Sequence, residues 1–238
     1  MNAPDTLFAG IRAAIIDLDG TMMDTAPDFL AAVNAMRAEL ALAPVGIDVI
    51  TRFVGKGTEN LVRSILGLDH APEQAAAHYE QALNAYMRSY SAINGRHATV
   101  YPGVAEGLRA MQQQGLRLAC VTNKPVGFAL PLLETAGLLD AFEVVYGGDS
   151  LPRKKPDPMP LLQVCADFSL APRHVVAIGD SSNDAQAARA ANCRVLTVPY
   201  GYNHGQPIQD VDSDGIVDTL LDAARLISAA NPNQHVSQ

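Results

Sequence analysis

Four short apolar runs, each ending abruptly at a polar, glycine or proline residue, constrain the fold of this chain most strongly. Strands that are apolar along their whole length are covered on both faces, as in parallel sheets. Between the runs lie helical patterns that stop at a glycine, such as Val104, Leu108 and Met111 before Gly115. This alternation predicts an α/β fold with a doubly wound, Rossmann-like parallel sheet. The runs are residues 13–16, 116–121, 175–178 and 195–198, with a weaker fifth at 144–146.

A stretch without any strand pattern interrupts this alternation soon after the first run. The sequence there predicts only helices: one from Pro27, one capped by Thr58 and one from Pro72. An insert at this position overhangs the carboxyl ends of the strands, where open α/β sheets bind ligands. The predicted organisation is an α/β core domain over 1–22 and 98–228, a small all-helical cap domain over 23–97, and a flexible tail over 229–238.

The charge balance and the composition argue against several classes of protein. The chain carries 17 Lys and Arg against 25 Asp and Glu, a net charge of −8, which disfavours a general affinity for nucleic acid or anionic membranes. No run approaches the ~20 apolar residues of a membrane span, and the first residues lack the basic start of a signal peptide. The scattered Cys120, Cys165 and Cys193 form no disulfide or zinc framework. We therefore expect a cytoplasmic monomer or homodimer.

Acidic side chains follow two of the apolar runs. Asp17 and Asp19 come directly after the first run, with Gly20 behind them to turn the chain, and Asp180 and Asp184 follow the third run. If a helix begins there, Asp180 and Asp184 share one face at i, i+4. Like charges so placed repel by roughly 0.2–0.5 kcal/mol unless a cation lies between them. Oxygen ligands alone favour a hard divalent cation, and we expect Mg²⁺.

Two further segments carry groups suited to binding an anion. Thr122 and Asn123 end the second run and offer a hydroxyl, an amide and backbone N–H groups at a helix entrance, where phosphate binds well. Of two adjacent lysines, Lys155 is attached directly to a proline, and a second proline follows two positions later. The prolines stiffen the backbone, so Lys155 is the lysine that we expect to be held in place. These groups and the four carboxylates should meet at one edge of the sheet.

With these residues, the chain closely resembles the haloacid dehalogenase-like hydrolases. The four motifs of that superfamily occur in order as residues 17–21, Thr122-Asn123, Lys155, and Asp180 with Asp184. The position of the helical insert is similar to that of the family's small cap. Within the superfamily the sequence is most similar to the bacterial phosphoglycolate phosphatases, over nearly the whole chain. The segments that carry this closer similarity are 53–57, 122–125, 147–150, 154–158 and 200–203.

The resemblance implies a role for each motif residue. Asp17 would attack phosphorus and form an aspartyl-phosphate, and Asp19 would act as general acid and base. Thr122, Asn123 and Lys155 would bind the phosphoryl oxygens, and Lys155 would also restrain Asp17. The implied ligands of Mg²⁺ are Asp17, the backbone carbonyl of Asp19, and Asp180, with Asp184 in the outer shell.

The resemblance also implies a substrate class, a small phosphorylated carboxylate. The reaction expected is Mg²⁺-dependent hydrolysis of 2-phosphoglycolate to glycolate and phosphate. In the cap, Gly55, Lys56 and Gly57 form a loop that either binds the carboxylate or is a plain turn between helices. The alternatives are a phosphatase for another small ester such as a sugar phosphate, a phosphomutase of the β-phosphoglucomutase type, and a phosphate-binding protein without turnover.

Overall fold

Eight strands form two sheets of different size in this protein, of which a computed structural model describes residues 7–231. Six strands make one sheet with the order β5-β4-β1-β6-β7-β8, and every neighbouring pair in it is parallel. This sheet confirms the predicted α/β class and places the buried β1 in the interior. The strands are β1 Ala13–Ile16, β2 Met23–Asp24, β3 Thr99–Val100, β4 Arg117–Val121, β5 Val144–Tyr146, β6 Val175–Gly179, β7 Arg194–Thr197 and β8 Gly215–Ile216.

The helical insert is a separate layer, joined to the sheet by a short neck. In the neck, β2 pairs antiparallel with β3, so the chain enters and leaves the insert side by side. The insert has its own apolar core, in which Phe29, Tyr86 and Tyr90 are buried. We call its four helices the cap: α1 Ala26–Glu39, α2 Ile47–Phe53, α3 Thr58–Leu66 and α4 Pro72–Ile93.

Helices cover both faces of the six-stranded sheet, which explains why its strands are apolar at successive positions. Ala14 and Ile16 of β1 pack into one apolar cluster, whereas Ala13 and Ile15 pack into a second cluster on the opposite face. Because successive side chains of a strand point to opposite faces, each buried strand contributes to both clusters. The first cluster includes residues of α5 (Val104–Gln113), α6 (Val126–Thr135) and α9 (Leu220–Ala229), and the second those of α7 (Met159–Asp167) and α8 (Ser182–Ala190).

Three local features differ from the sequence-based expectations. The cap contains a fourth helix, α2, whose seven residues are too few to show a helical period. Helix α3 begins at Thr58 itself, and Gly57 occupies the capping position with a φ of 89°, so Thr58 is not the cap. The expected tail begins too early, because the Asn231 side chain bonds to the backbone of Phe8 and Gly10. The rest of that tail, 232–238, lies outside the described residues.

Within residues 7–231, no helix is both long and apolar enough to cross a membrane. The three cysteines are buried free thiols, as expected for small core side chains. The Sγ atoms of Cys165 and Cys193 lie 4.0 Å apart.

Candidate active site

The central strand β1 ends in an acidic pair at the carboxyl edge of the sheet. Asp17 and Asp19 are both less than a tenth exposed, and Leu18 between them is fully buried. Gly20 follows with a φ of 85°, in the left-handed region that favours glycine. A Cβ at this position would lie 2.4 Å from Oδ2 of Asp180. The turn therefore brings the segment after β1 directly against the acid that follows β6.

Lys155 is the cation at the centre of this edge. Its Nζ donates to Oδ1 of Asp17 at 2.8 Å, to Oδ1 of Asp184 at 2.6 Å and to the carbonyl of Val121 at 2.6 Å. Burial alone would lower the pKa of this ammonium group, but Asp17 and Asp184 raise it above its usual value. Lys155, rather than the half-buried Lys154, is thus the lysine held in the site, as the sequence predicted.

Asp180 and Asp184 come together for a reason that differs from the predicted one. Helix α8 begins at Ser182 with Ser181 as its N-cap, so Asp180 lies outside the helix and the expected i, i+4 pair is wrong. Asp184 is part of a capping box, in which its Oδ2 accepts from the backbone N–H and the hydroxyl of Ser181. The turn before α8 nevertheless places carboxylate oxygens of Asp17, Asp180 and Asp184 within 4.8 Å of one another.

Without a cation, burial and mutual repulsion destabilise the ionised forms of the carboxylates in this cluster. Burial, together with the nearby Asp184, raises the pKa of Asp17 to about 7, although Lys155 opposes the shift. Burial, Asp184 and Asp17 likewise raise the pKa of Asp180 well above its ordinary value. Four buried acids, Asp19 included, stand against two buried lysines, which leaves two negative charges uncompensated if all are ionised. A divalent cation would offset that excess, and the oxygen donors suit a hard ion such as Mg²⁺.

The predicted phosphate-binding pair lies at the same edge, although its donors are partly used. Thr122 is buried and lines the cavity described below. The side-chain amide of Asn123 donates to the carbonyls of Gly55 and Lys155, both at 2.8 Å. The expected helix entrance contributes less than predicted, because the first N–H of α6, that of Val126, already donates to Asp149. Asn123 therefore connects the core to the cap loop at Gly55.

A second buried lysine, Lys124, was not assigned a role from the sequence. Its Nζ donates to Oδ1 of Asp19 at 2.7 Å, and the hydroxyl of Thr25 donates to the same oxygen. The ammonium group lies 4.3 Å from the ring centre of Phe29 and 5.0 Å from that of Tyr90, both in the cap. The sequence signal was its position directly after Asn123, but its aromatic neighbours are distant in the chain.

These groups line a cavity between the cap and the sheet. Its free space is about 30 Å³, room for about two water molecules, so the cap is closed over the core. Lys56 is exposed and lines an open cleft with Arg153 and Lys154. This cleft borders the cavity at Lys155, but Lys56 itself is not among the residues that line the cavity. Residues of the expected site and their neighbours line one part of the cavity, among them Asp17, Asp19, Gly55, Gly57, Thr122, Asn123, Lys124, Lys155 and Asp184. Apolar and aromatic residues of the cap and its loops line the other part, among them Phe29, Val54, Leu61 and Tyr90.

Comparison with known proteins agrees with this arrangement. The family model described as haloacid dehalogenase-like hydrolase matches residues 14–198, more than half of the chain, from β1 to the end of β7. The chain belongs to this family. The parallel α/β sheet agrees with that membership.

Relatives with curated names narrow the class further. Phosphoglycolate phosphatase of Nitrosospira multiformis is 48% identical over 93% of this chain and 97% of its own length. The enzyme of the same name from Thiobacillus denitrificans is 44% identical over 92% of this chain and 97% of its own. The crystal structure of a predicted phosphoglycolate phosphatase from Haemophilus somnus gives a TM-score of 0.86 at 30% identity, covering 92% of this chain and 98% of that one. The resemblance found in the motifs is confirmed. The chain is a phosphate monoester hydrolase.

Proposed function

We propose that this enzyme hydrolyses 2-phosphoglycolate to glycolate and phosphate, through an aspartyl-phosphate on Asp17 and with bound Mg²⁺. The observation that carries the proposal is the contact between Lys155 and Asp17, two residues that line the cavity closed by the cap. Asp17 is also a member of the three-carboxylate cluster. The relatives that match almost the whole chain are phosphoglycolate phosphatases, which supports the choice of substrate.

Asp17 is the proposed nucleophile. Lys155 contacts its Oδ1, so Oδ2 is the oxygen that attacks phosphorus. As the bond from Oδ2 to phosphorus forms, the bond from phosphorus to the glycolate oxygen breaks, which leaves an aspartyl-phosphate. Lys155 also neutralises part of the charge on the phosphoryl group, and Thr122 offers a hydroxyl to it.

Asp19 is placed to move the protons of the reaction. In the first step it gives a proton to the departing glycolate oxygen. In the second it takes a proton from the water that attacks phosphorus, as the bond from phosphorus to Oδ2 of Asp17 breaks and phosphate is released. Its Oδ1 is fixed by the hydroxyl of Thr25 and the ammonium group of Lys124, so the carboxyl group has a defined orientation. Thr25 precedes the first cap helix, which couples this orientation to the position of the cap.

Asp17, the backbone carbonyl of Asp19, and Asp180 are proposed to hold the cation, and Asp184 to adjust their positions through Lys155. The cluster of buried carboxylates with an excess of two negative charges fits this ion. When bound, Mg²⁺ would neutralise phosphoryl charge during the transfer. Thr21 and the backbone N–H of Tyr202 donate to Asp180 and hold it in place.

The closed cap favours a very small leaving group. The remaining space holds about two water molecules, so a substrate must displace them and open the cap to enter. The ester 2-phosphoglycolate is itself larger than this space, so the cap must open to admit it, and a sugar phosphate or a nucleotide requires a much larger opening. Closure over the substrate excludes water and strengthens the charge interactions around phosphorus.

A phosphate-release screen tests the proposal. Initial rates are measured for 2-phosphoglycolate, glucose 6-phosphate, a nucleoside monophosphate and p-nitrophenyl phosphate, with Mg²⁺, with EDTA and with Ca²⁺. We expect 2-phosphoglycolate to give the highest kcat/KM, EDTA to abolish turnover, Mg²⁺ to restore it, and Ca²⁺ to inhibit because it prefers a larger, looser shell. A sugar phosphate with the highest kcat/KM, or full activity in EDTA, would contradict it.

Two alternatives have a direct test in the same assay. A β-phosphoglucomutase-like mutase must protect its phosphoenzyme from water, so a sugar bisphosphate would stimulate it, whereas we expect no stimulation. A phosphate-binding protein without turnover would release no more phosphate than the Asp17→Asn variant.

A further inference from the structure

Lys124 is a buried ammonium group with a single anionic partner. Lys155 donates to two carboxylates and a carbonyl, whereas Lys124 donates only to Oδ1 of Asp19 among the residues that the structure describes. An ammonium group has three N–H donors. The faces of Phe29 and Tyr90 adjoin it, and aromatic faces attract a cation but accept hydrogen bonds only weakly. Lys124 therefore keeps donor capacity for a further anion inside the cavity.

Tyr90 provides a second, independent sign of an absent polar ligand. Its side chain is 1% exposed and lines the same cavity, and its hydroxyl has no hydrogen-bond partner within residues 7–231. A buried hydroxyl without a partner is unfavourable, so a ligand that accepts its hydrogen bond is the simplest account of it. Burial raises the pKa of Tyr90 well above its ordinary value, so the hydroxyl remains a donor at neutral pH.

We propose that Lys124 of the core and Tyr90 of the cap together bind the carboxylate group of the substrate. This inference rests on the proposed function and names the residues that distinguish a phosphorylated carboxylate from other phosphate esters. It replaces Lys56, which is exposed on the outer cleft and is absent from the cavity lining. An ammonium and a phenol donor suit the two oxygens of a carboxylate.

The placement of the two donors also links recognition to closure of the cap. Lys124 follows β4 in the core, whereas Tyr90 lies on α4 of the cap. A carboxylate between them would join the two layers, and the energy of that contact would favour the closed state in which the phosphoryl group is enclosed.

The test compares two esters that differ only at the end remote from phosphorus. One is 2-phosphoglycolate, and the other is 2-hydroxyethyl phosphate, in which a neutral CH₂OH replaces the carboxylate. The measured quantity is the preference, the ratio of the two kcat/KM values. Because each substitution affects the shared chemistry of both esters alike, the ratio isolates recognition of the carboxylate from any effect of Lys124 on Asp19.

We expect Lys124→Met to lower the preference for 2-phosphoglycolate by roughly 10- to 100-fold, the effect of losing one charge-assisted hydrogen bond. Lys56→Met, the same substitution at the competing lysine, should leave the preference within about twofold. Tyr90→Phe should lower it by roughly 3- to 10-fold. Tyr86→Phe is the matched control, because the Tyr86 hydroxyl is also buried without a partner within the described residues, but Tyr86 is absent from the cavity lining.

The outcomes separate this inference from the proposed function. If the wild-type enzyme shows no preference for 2-phosphoglycolate, the proposed function fails. If the wild type shows it and Lys124→Met and Tyr90→Phe keep it, the inference is overturned while the function stands. Loss of preference in Lys56→Met alone would return the role to the cap loop. Should Lys124→Met fail to fold, Tyr90→Phe decides alone, since it removes one unpartnered hydroxyl and leaves the ring contacts in place.

Discussion

Asp17 and Asp19 lie on the same loop, yet each contacts a different lysine. Lys155 contacts Asp17 within the acidic cluster, whereas Lys124 contacts Asp19 against the aromatic side chains of the cap. The two carboxylates are therefore held in different surroundings, one beside the proposed cation and one at the boundary with the cap. Different surroundings let two like residues perform different chemistry, as in the proposed roles of Asp17 as nucleophile and Asp19 as acid and base.

Replacing either aspartate by asparagine separates chemistry from folding. Asp17→Asn removes the attacking oxygen and should reduce phosphate release to background, whereas Asp19→Asn should reduce kcat by about 10²- to 10⁴-fold. Both side chains are nearly isosteric with the originals, so thermal melting in EDTA should show folded protein. Asp212→Asn, at a side chain that is 81% exposed, is the control and should keep full activity. Near-normal turnover by Asp19→Asn would refute its acid and base role.

Some of these residues could be read from the sequence and others could not. The Asp17 and Asp19 pair and Lys155 are local signals, since an apolar strand or a proline-stiffened segment fixes where each lies. Lys124 has a local signal only in its position after Asn123, because what makes it special is its contact with Phe29 and Tyr90, which belong to two different cap helices. The prediction that Asp180 and Asp184 lie close together is correct, but the reason given for it, a shared helix face, is wrong. The sequence pattern places the start of a helix only to within one or two residues.

Asp28, a buried acid in the first turn of α1, connects the segment where the chain enters the cap to the segment where it leaves the cap. Asp28 is fully buried, and its Oδ1 and Oδ2 accept from the backbone N–H groups of His97 and Gly95 at 2.8 and 2.7 Å. These two residues follow α4, on the path back to the neck. The carboxylate therefore accepts from two backbone donors of the returning chain, and it holds the two connections of the cap together.

Asp28→Asn tests this fastening. The substitution replaces one acceptor oxygen with an NH₂ group that faces a backbone N–H, so we expect a loss of roughly 1–3 kcal/mol in the free energy of unfolding. The matched control is Asp48→Asn, in the first turn of α2, where the side chain is 70% exposed and should change stability by less than about 0.5 kcal/mol. Urea unfolding of the two variants measures the difference, and equal values would show that the two backbone contacts contribute nothing.

The elements themselves were predictable to the extent that they are long and periodic. The buried strands and the long cap helices α1 and α4 have clear patterns, and they were predicted. Helix α2 and the two-residue strands β2 and β3 were not, because segments this short carry no period and form only through tertiary contacts. The neck made by β2 and β3 is therefore a product of the folded core and cap rather than a local property of either segment.

At the scale of the whole molecule, the acidic cluster ties stability to pH and to metal. Without a cation, burial raises the pKa of Asp17 to about 7 and that of Asp180 well above 3.8, and unfolding returns both towards 3.8. The folded protein thus binds more protons than the unfolded chain between about pH 4 and pH 7. By linkage, these groups make the free energy of unfolding of the metal-free protein fall as the pH rises through that window.

Mg²⁺ should reverse this trend, because it binds ionised carboxylates and competes with protons for them. We expect saturating Mg²⁺ to raise the melting temperature only slightly at pH 5 and by about 5–10 °C at pH 8, relative to EDTA. Asp180→Asn should remove most of the Mg²⁺-dependent shift and flatten the pH dependence in EDTA, since it deletes a proposed ligand and a buried titrating group. The exposed Asp212→Asn should change neither. A Mg²⁺-dependent shift of the same size at both pH values would show that the ion binds somewhere other than this buried cluster, since the carboxylates of the cluster must lose protons in this range to bind it.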